Sequence, residues 1–146
     1  MSDSLLDGKT NGGQVDAFRH GYWMAMLSAT INPRKALSLG KAHEAGNKLD
    51  FLHNRNEEGE RPDSVSSAMD LFNNLQGIEV RKRHPEANAD EMKELIIKAI
   101  LEGSFRILKT NRAGQYLDCS GQWLDLQLWK GRWDIPKCLI SSSTSP

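Results

Sequence analysis

At 146 residues, with 38% hydrophobic and 26% charged side chains, the chain is long enough for one hydrophobic core and too short for two ordinary ones. Its 19 Lys and Arg balance 19 Asp and Glu, so no whole-protein field draws it to nucleic acid or to an anionic membrane, and general nucleic-acid binding is not expected. No apolar run approaches the roughly 18 residues of a membrane span, which argues against an integral membrane protein, and Met1–Asp7 lacks the basic and apolar parts of a signal peptide.

Residues 1–14, with Gly8, Gly12 and Gly13, read as a flexible lead-in to a single domain over 15–138. From Asp16 to about Thr30, Phe18, Tyr22, Ala25, Met26 and Ala29 share one face at helical spacing, while His20, Trp23, Met24 and Leu27 share another. A helix apolar nearly all round is a buried one. Pro33 suits the first turn of a second helix, 33–46, with Gly46 or Asn47 as its stop. The polar stretch 54–63, punctuated by Gly59 and Pro62, reads as a surface loop.

Asp63 and Ser64 offer caps for a third helix, about 65–78, on which Asp70, Asn73, Asn74 and Gly77 form a polar stripe. Asn88 to Glu91 has the form of a capping box opening a fourth, 89–102, with Met92, Leu95, Ile96, Ala99 and Ile100 as its core face. From about residue 104 the period changes. Phe105–Lys109 and Gln115–Cys119 flank Asn111–Gly114 as a hairpin, Leu124, Leu126 and Leu128 alternate like a further strand, and Trp123, Trp129 and Trp133 read as a lid packed on the helices. Residues 139–146 read as a disordered tail. The fold class that follows is mainly α, a compact bundle of about four helices with a small C-terminal β element. Cys119 and Cys138 are too few for a zinc cage; composition does not choose between two free thiols and one disulfide, and two incidental thiols are the expectation.

Three clusters put polar side chains where the local pattern demands apolar ones: Asp16 to His20, Ala42 to Glu44, and Met69 to Asn74. Buried polar groups cost free energy unless paired, so their convergence marks a polar centre with a function. His20, His43, Glu44 and Asp70 are the candidate catalytic residues. Neutral imidazole and carboxylate oxygen are ligands for a divalent metal (Zn, Mg or Mn), for which His20, His43 and Asp70 are the candidates. Without a metal, Glu44 suits a general acid beside a charged Asp70, and His20 a general base oriented by Asp16 from a supporting position. Arg19 suits an anionic group of a substrate, and Asn73 and Asn74 a water or a sugar hydroxyl. All four catalytic candidates should face one cleft, with Arg19 and Asn73 or Asn74 at its edge. Arg81-Lys82-Arg83-His84, the one short basic track, reads as a solvated helix end.

The strings Asp16-Ala-Phe-Arg-His-Gly-Tyr-Trp23, Gly40-Lys-Ala-His-Glu44 and Met69-Asp-Leu-Phe-Asn-Asn-Leu-Gln-Gly77 resemble the three signature blocks of a bacterial domain family of unknown function, over roughly residues 10 to 110. Against that pattern Gly21 stands in place of Ala, and Phe72 in place of a His, which removes one potential ligand from the third block. The layout of such proteins is similar to that of polymorphic toxins and secretion-system effectors. The resemblance therefore implies a bacterial protein exported by a route other than a signal peptide, acting in the periplasm or cytoplasm of a target cell, with an immunity protein or a secretion-system carrier as partner. Joined to the polar centre, it leads to the expectation of an antibacterial hydrolase acting on a phosphodiester, phospholipid or cell-wall substrate. A metal-free, glycosidase-like peptidoglycan hydrolase and a non-enzymatic binding module with a structural polar core are the alternatives.

Overall fold

The computed structural model describes residues 5–53 and 62–144. Four helices make up most of it: α1 (Gln14–Thr30), α2 (Pro33–Leu52), α3 (Ser64–Arg83) and α4 (Ala89–Leu101), followed by the short strands β1 (Arg106–Leu108) and β2 (Leu139–Ser141). This is a mainly α domain, and no described helix is long and apolar enough to cross a membrane.

The buried α1 packs against each of the other three helices. Its Phe18 and Ala25 meet Met92, Ile96 and Ile100 of α4 in the principal core, and Met24 meets Ala36 of α2 and Ile78 of α3 in a smaller one. The capping box forms as its residues dictate: Asn88 accepts from the Glu91 amide at 2.9 Å while the Glu91 side chain returns to the Asn88 amide. Asp63 caps α3 by accepting from the amides of Val65 and Ser66.

Both α2 and α3 outrun their predicted ends. Gly46 does not stop α2, which continues until Phe51 packs on Trp133, ring centroids 5.3 Å apart. Gly77 does not stop α3 because it serves as a crossing point. A Cβ there would lie 2.1 Å from the Gly21 carbonyl oxygen, so the α1 and α3 backbones approach as only glycine permits. Gly21 in turn has no room for the alanine of the signature pattern, since an added Cβ would meet the Phe105 ring at 2.4 Å.

The ends of the domain depart further from expectation. The lead-in is tied down from residue 5 onward. Leu6 is buried, the Asp7 carboxylate accepts from the Gln14 amide at the open start of α1, and the Gly12 carbonyl accepts from the Leu108 amide at 2.7 Å. The predicted hairpin survives only as a turn, with single bridges from Thr110 to Tyr116 and from Leu117 to Trp123. Its first arm pairs instead with the segment expected to be disordered: β1 and β2 run antiparallel with Ile107 opposite Ile140, and Ser142 is fully buried, donating to the Ile100 carbonyl at 2.6 Å. Leu126 and Leu128 lie in turns rather than a strand, their segment closing on itself as the Leu128 amide donates to the Asp125 carbonyl at 3.0 Å.

The tryptophan lid is divided: Trp133 docks on Phe51, whereas Trp123 is 57% exposed. Cys119 and Cys138 form a disulfide rather than free thiols, closing a loop with a sequence separation of 19. Arg81 is no part of a solvated basic track. It is buried, with its guanidinium donating to the carbonyls of Ala25 and Ala87.

Candidate functional site

Three helices each turn one polar stripe of three- and four-residue spacing toward the same space: Asp16, Arg19 and His20 from α1; His43, Glu44 and Asn47 from α2; Ser66, Ser67 and Asp70 from α3. They line a cavity of about 310 Å³. His20, His43, Glu44 and Asp70 therefore share one cavity, with Arg19 beside them. The surface loop expected over 54–63 lies, for residues 54–61, outside the described residues, while Pro62 and Asp63 at its end line the wall.

His20 is the pivot. Its Nδ1 lies 3.2 Å from Asn74 Oδ1, a contact that favours the tautomer with its hydrogen on Nδ1. The lone pair of Nε2 is thereby aimed at Asp70 Oδ1, 3.2 Å away, and Asp16 Oδ1, 3.7 Å away. Burial lowers the His20 pKa against the opposing pull of Asp16 and Glu44, so the ring is neutral at neutral pH. Asp70 is pushed up to about 9, first by burial and then by the charges of Glu44 and Asp16, and it shares a hydrogen bond with Glu44.

Lone pairs of one imidazole and two carboxylates thus face each other, and Asp70 Oδ1 and Glu44 Oε1 are buried without a hydrogen-bond donor. Such an arrangement is stable only with a proton or a cation between the oxygens.

Among the described residues, one ligand atom each from Asp16, His20 and Asp70 lies within 4.8 Å of the others, a set that could hold a metal ion. Of the expected set, His20 and Asp70 belong to this group and His43 does not. Asp16 sits one turn before His20 on the same face. His43 is exposed on the cavity rim, its ring edge-on to Trp23 at 6.4 Å. Asp16 is itself held by the Gly12 amide at 2.8 Å and by Arg19 Nη2 at 3.1 Å.

Neither asparagine stands where a substrate could be bound, because both are buried outside the cavity lining. Asn73 clamps β1 to α3: its amide donates to the Arg106 carbonyl and accepts from the Arg106 amide, each at 2.9 Å. Asn74 orients His20. Phe72, which replaces the signature histidine, lies outside the lining and stacks under the Arg106 guanidinium at 4.6 Å, so its substitution costs the cavity no ligand.

Sequence reasoning passed over the contribution of the tail. Lys137 reaches Asp63 at 2.7 Å in a nearly fully buried ion pair and lies over the Tyr116 ring at 4.2 Å, closing one wall of the cavity. The neighbouring Cys138 is the only local signal at that position.

Comparison with curated proteins and with solved structures found no match to the chain. The family comparison did: residues 1–104, which carry all of Asp16, His20, Glu44 and Asp70, match the model of a domain of unknown function, DUF6973, and the chain belongs to that family.

Proposed function

We propose that the cavity is a hydrolytic centre working with a divalent cation held by Asp16, His20 and Asp70. The observation that carries this reading is the convergence of three lone-pair donors within 4.8 Å, one of them a histidine whose other nitrogen is engaged by Asn74. Metal-bound histidines characteristically have such a partner. Three protein ligands leave open positions for water and substrate, and the mixed nitrogen and oxygen set suits Zn or Mn, with Mg a weaker fit.

A divalent ion held there would supply Lewis-acid activation of a water and of the scissile bond. Glu44 Oε1, buried and without a donor, would accept the proton of an attacking water and return it to the leaving group. Arg19, whose side chain is half exposed beside Asp16, offers its outer N–H groups to an anionic substrate. The disulfide supports an exported protein, since such bonds persist in oxidising compartments. Together with the resemblance to effector layouts, it favours an effector hydrolase with an immunity protein or carrier as partner.

A second reading rests on Asp70. A carboxyl that keeps its proton at neutral pH is a general acid, and Glu44 beside it supplies a second carboxyl for a metal-free, glycosidase-like hydrolase.

Titration calorimetry of the purified chain with Zn²⁺ and Mn²⁺, paired with hydrolysis of phosphodiester, phospholipid and peptidoglycan substrates with and without chelator, separates the two readings. One ion per chain, lost in His20→Ala, with activity abolished by chelator, is the expected result. Chelator-resistant cleavage of peptidoglycan would replace the first reading with the second, and an absence of binding and of cleavage would leave a binding module.

A further inference from the structure

Pro62, Asp63, Tyr116 and Lys137 line the central cavity and also a second one, of about 200 Å³, which adjoins it. Phe51 of α2 forms one side of this slot, and Leu126, Trp129 and Ile135 form the other. Those three residues belong to the loop that the Cys119–Cys138 disulfide closes, and the loop is further pinned where the Ser64 amide donates to the Trp133 carbonyl at 2.9 Å.

The chemistry of the slot is one-sided. Among the described residues its single acid, Asp63, is neutralised by Lys137, leaving Lys130 and Arg132 as the unmatched charges of the lining. Among the same residues no Asn, Gln, Ser or Thr lines it, and Tyr116 alone offers a hydroxyl, a sparse set of groups for reading a glycan. The same loop exposes Trp123 (57%), Leu126 (42%) and Leu128 (76%) beside those two cations. Indole and leucine next to Lys and Arg form the mixture that seats at an anionic lipid–water interface.

We propose that the slot takes an acyl chain of a glycerophospholipid, with the lipid's phosphate reaching into the acidic cavity toward the cation and Arg19. This rests on the hydrolytic reading of the central cavity and narrows its substrate to an anionic amphiphile. The central cavity, about 310 Å³, is by itself at the lower end of the size typical of ligand sites, about 300–1,000 Å³, and the slot of about 200 Å³ lies against it across their four shared residues.

The test uses the full oxidised chain and a short-chain phosphatidylglycerol, brominated on its acyl chains and kept below its micelle concentration, with tryptophan fluorescence as the readout in Mg²⁺ and in chelator. Saturable quenching is expected. It should weaken at least tenfold in Leu126→Asp, a change at a part-exposed position that puts an anion in the slot, and in Ile135→Trp, which fills it. Melting temperature and cation binding of Leu126→Asp should match those of the unaltered chain, which keeps the test valid if Ile135→Trp misfolds.

Quenching unchanged in Leu126→Asp, or displacement of the lipid by a soluble peptidoglycan fragment, would overturn the proposal. The two readings fail separately. Lipid bound through the slot but never cleaved would remove the hydrolytic centre alone. A water-soluble phosphodiester cleaved equally by the unaltered chain and Leu126→Asp, with no lipid quenching, would remove the slot alone.

Discussion

Replacing Asp70 by Asn should stabilise the ion-free protein while destroying its cation site. In the fold, Asp70 holds its proton up to about pH 9, against an ordinary value of 3.8. The unfolded chain gives up that proton once the pH passes 3.8. Stability is therefore fully present below that pH and is lost progressively as the pH climbs toward 9. At ~1.4 kcal/mol per pH unit the ceiling on this loss at pH 8 is ~6 kcal/mol. Relaxation and sharing of the repulsion among Asp70, Glu44 and Asp16 should reduce the realised figure to about 2–3 kcal/mol. Asparagine keeps the shape of the protonated acid and cannot ionise. In a chelated sample, Asp70→Asn should therefore melt about 6–12 °C higher at pH 8, taking about 3–4 °C per kcal/mol for a chain of this size, and no higher at pH 3. Thermal melts by circular dichroism across that range measure the difference directly. A loss of stability at pH 8, or a gain of equal size at pH 3, would refute the account of Asp70 as a carboxyl whose ionised form the fold resists. With saturating Mn²⁺ the order should reverse at pH 8, since the ion takes the place of the proton in the unaltered chain only.

The remaining expectations concern the scaffold and the ligand set. Gly77→Ala places a Cβ 2.1 Å from the Gly21 oxygen, so α1 and α3 must separate. A loss of about 3 kcal/mol in denaturant titration is expected, together with weaker cation binding in whatever remains folded. Asn73→Ala strands the part-buried amide and carbonyl of Arg106, at about 2–4 kcal/mol, read by the same titration. His43→Ala, at an exposed position, should leave the melting temperature unchanged and cation affinity within about twofold, whereas His20→Ala should lower that affinity beyond detection by calorimetry.

The helices were legible because their signals are local. Asn88 and Glu91 sit at capping-box spacing, Asp63 caps α3, and the α4 core face repeats at helical period, so each could be read without knowing the tertiary partner. What the sequence concealed was long range. Gly46 and Gly77 look like stops because glycine often ends helices, yet whether one does depends on distant contacts: past Gly46 the helix carries Phe51 to a tryptophan 82 residues downstream, and Gly77 itself meets the Gly21 carbonyl. The pairing of β1 with β2 joins residues 106 and 141 across the whole tail, and no local pattern marks so short a strand. Of the site, the four candidates that share the cavity stood out because polar residues in apolar surroundings are conspicuous. Asn73 and Asn74 were equally conspicuous, but the sequence could not distinguish an amide that binds a ligand from one that clamps a strand or orients a histidine. Asp16 appeared only as a support for His20, since i to i+4 spacing shows that two residues share a face and not which of them faces a third helix.

The division of the chain carries a mechanistic consequence. Every residue of the proposed cation site and its proton acceptor lies within residues 1–104, the part that matches the family, and the glycine crossing that brings α1 and α3 together lies there too. The residues that close the outer wall, Tyr116 and Lys137, and those that build the slot, Trp129 and Ile135, all follow it. A buried ion pair between Asp63 and Lys137 joins the two parts, and because leaving either charge alone costs about 3–5 kcal/mol, the tail is committed to the α3 cap rather than loosely appended. The disulfide then restricts a loop that has no regular secondary structure to hold it, by about 3 kcal/mol through the unfolded state. Under the proposed function the helices would supply the chemistry and the tail the wall against which a substrate is selected. A chain with the same helices and a different tail would keep the cation site and the pivot at His20 while acting on a different molecule.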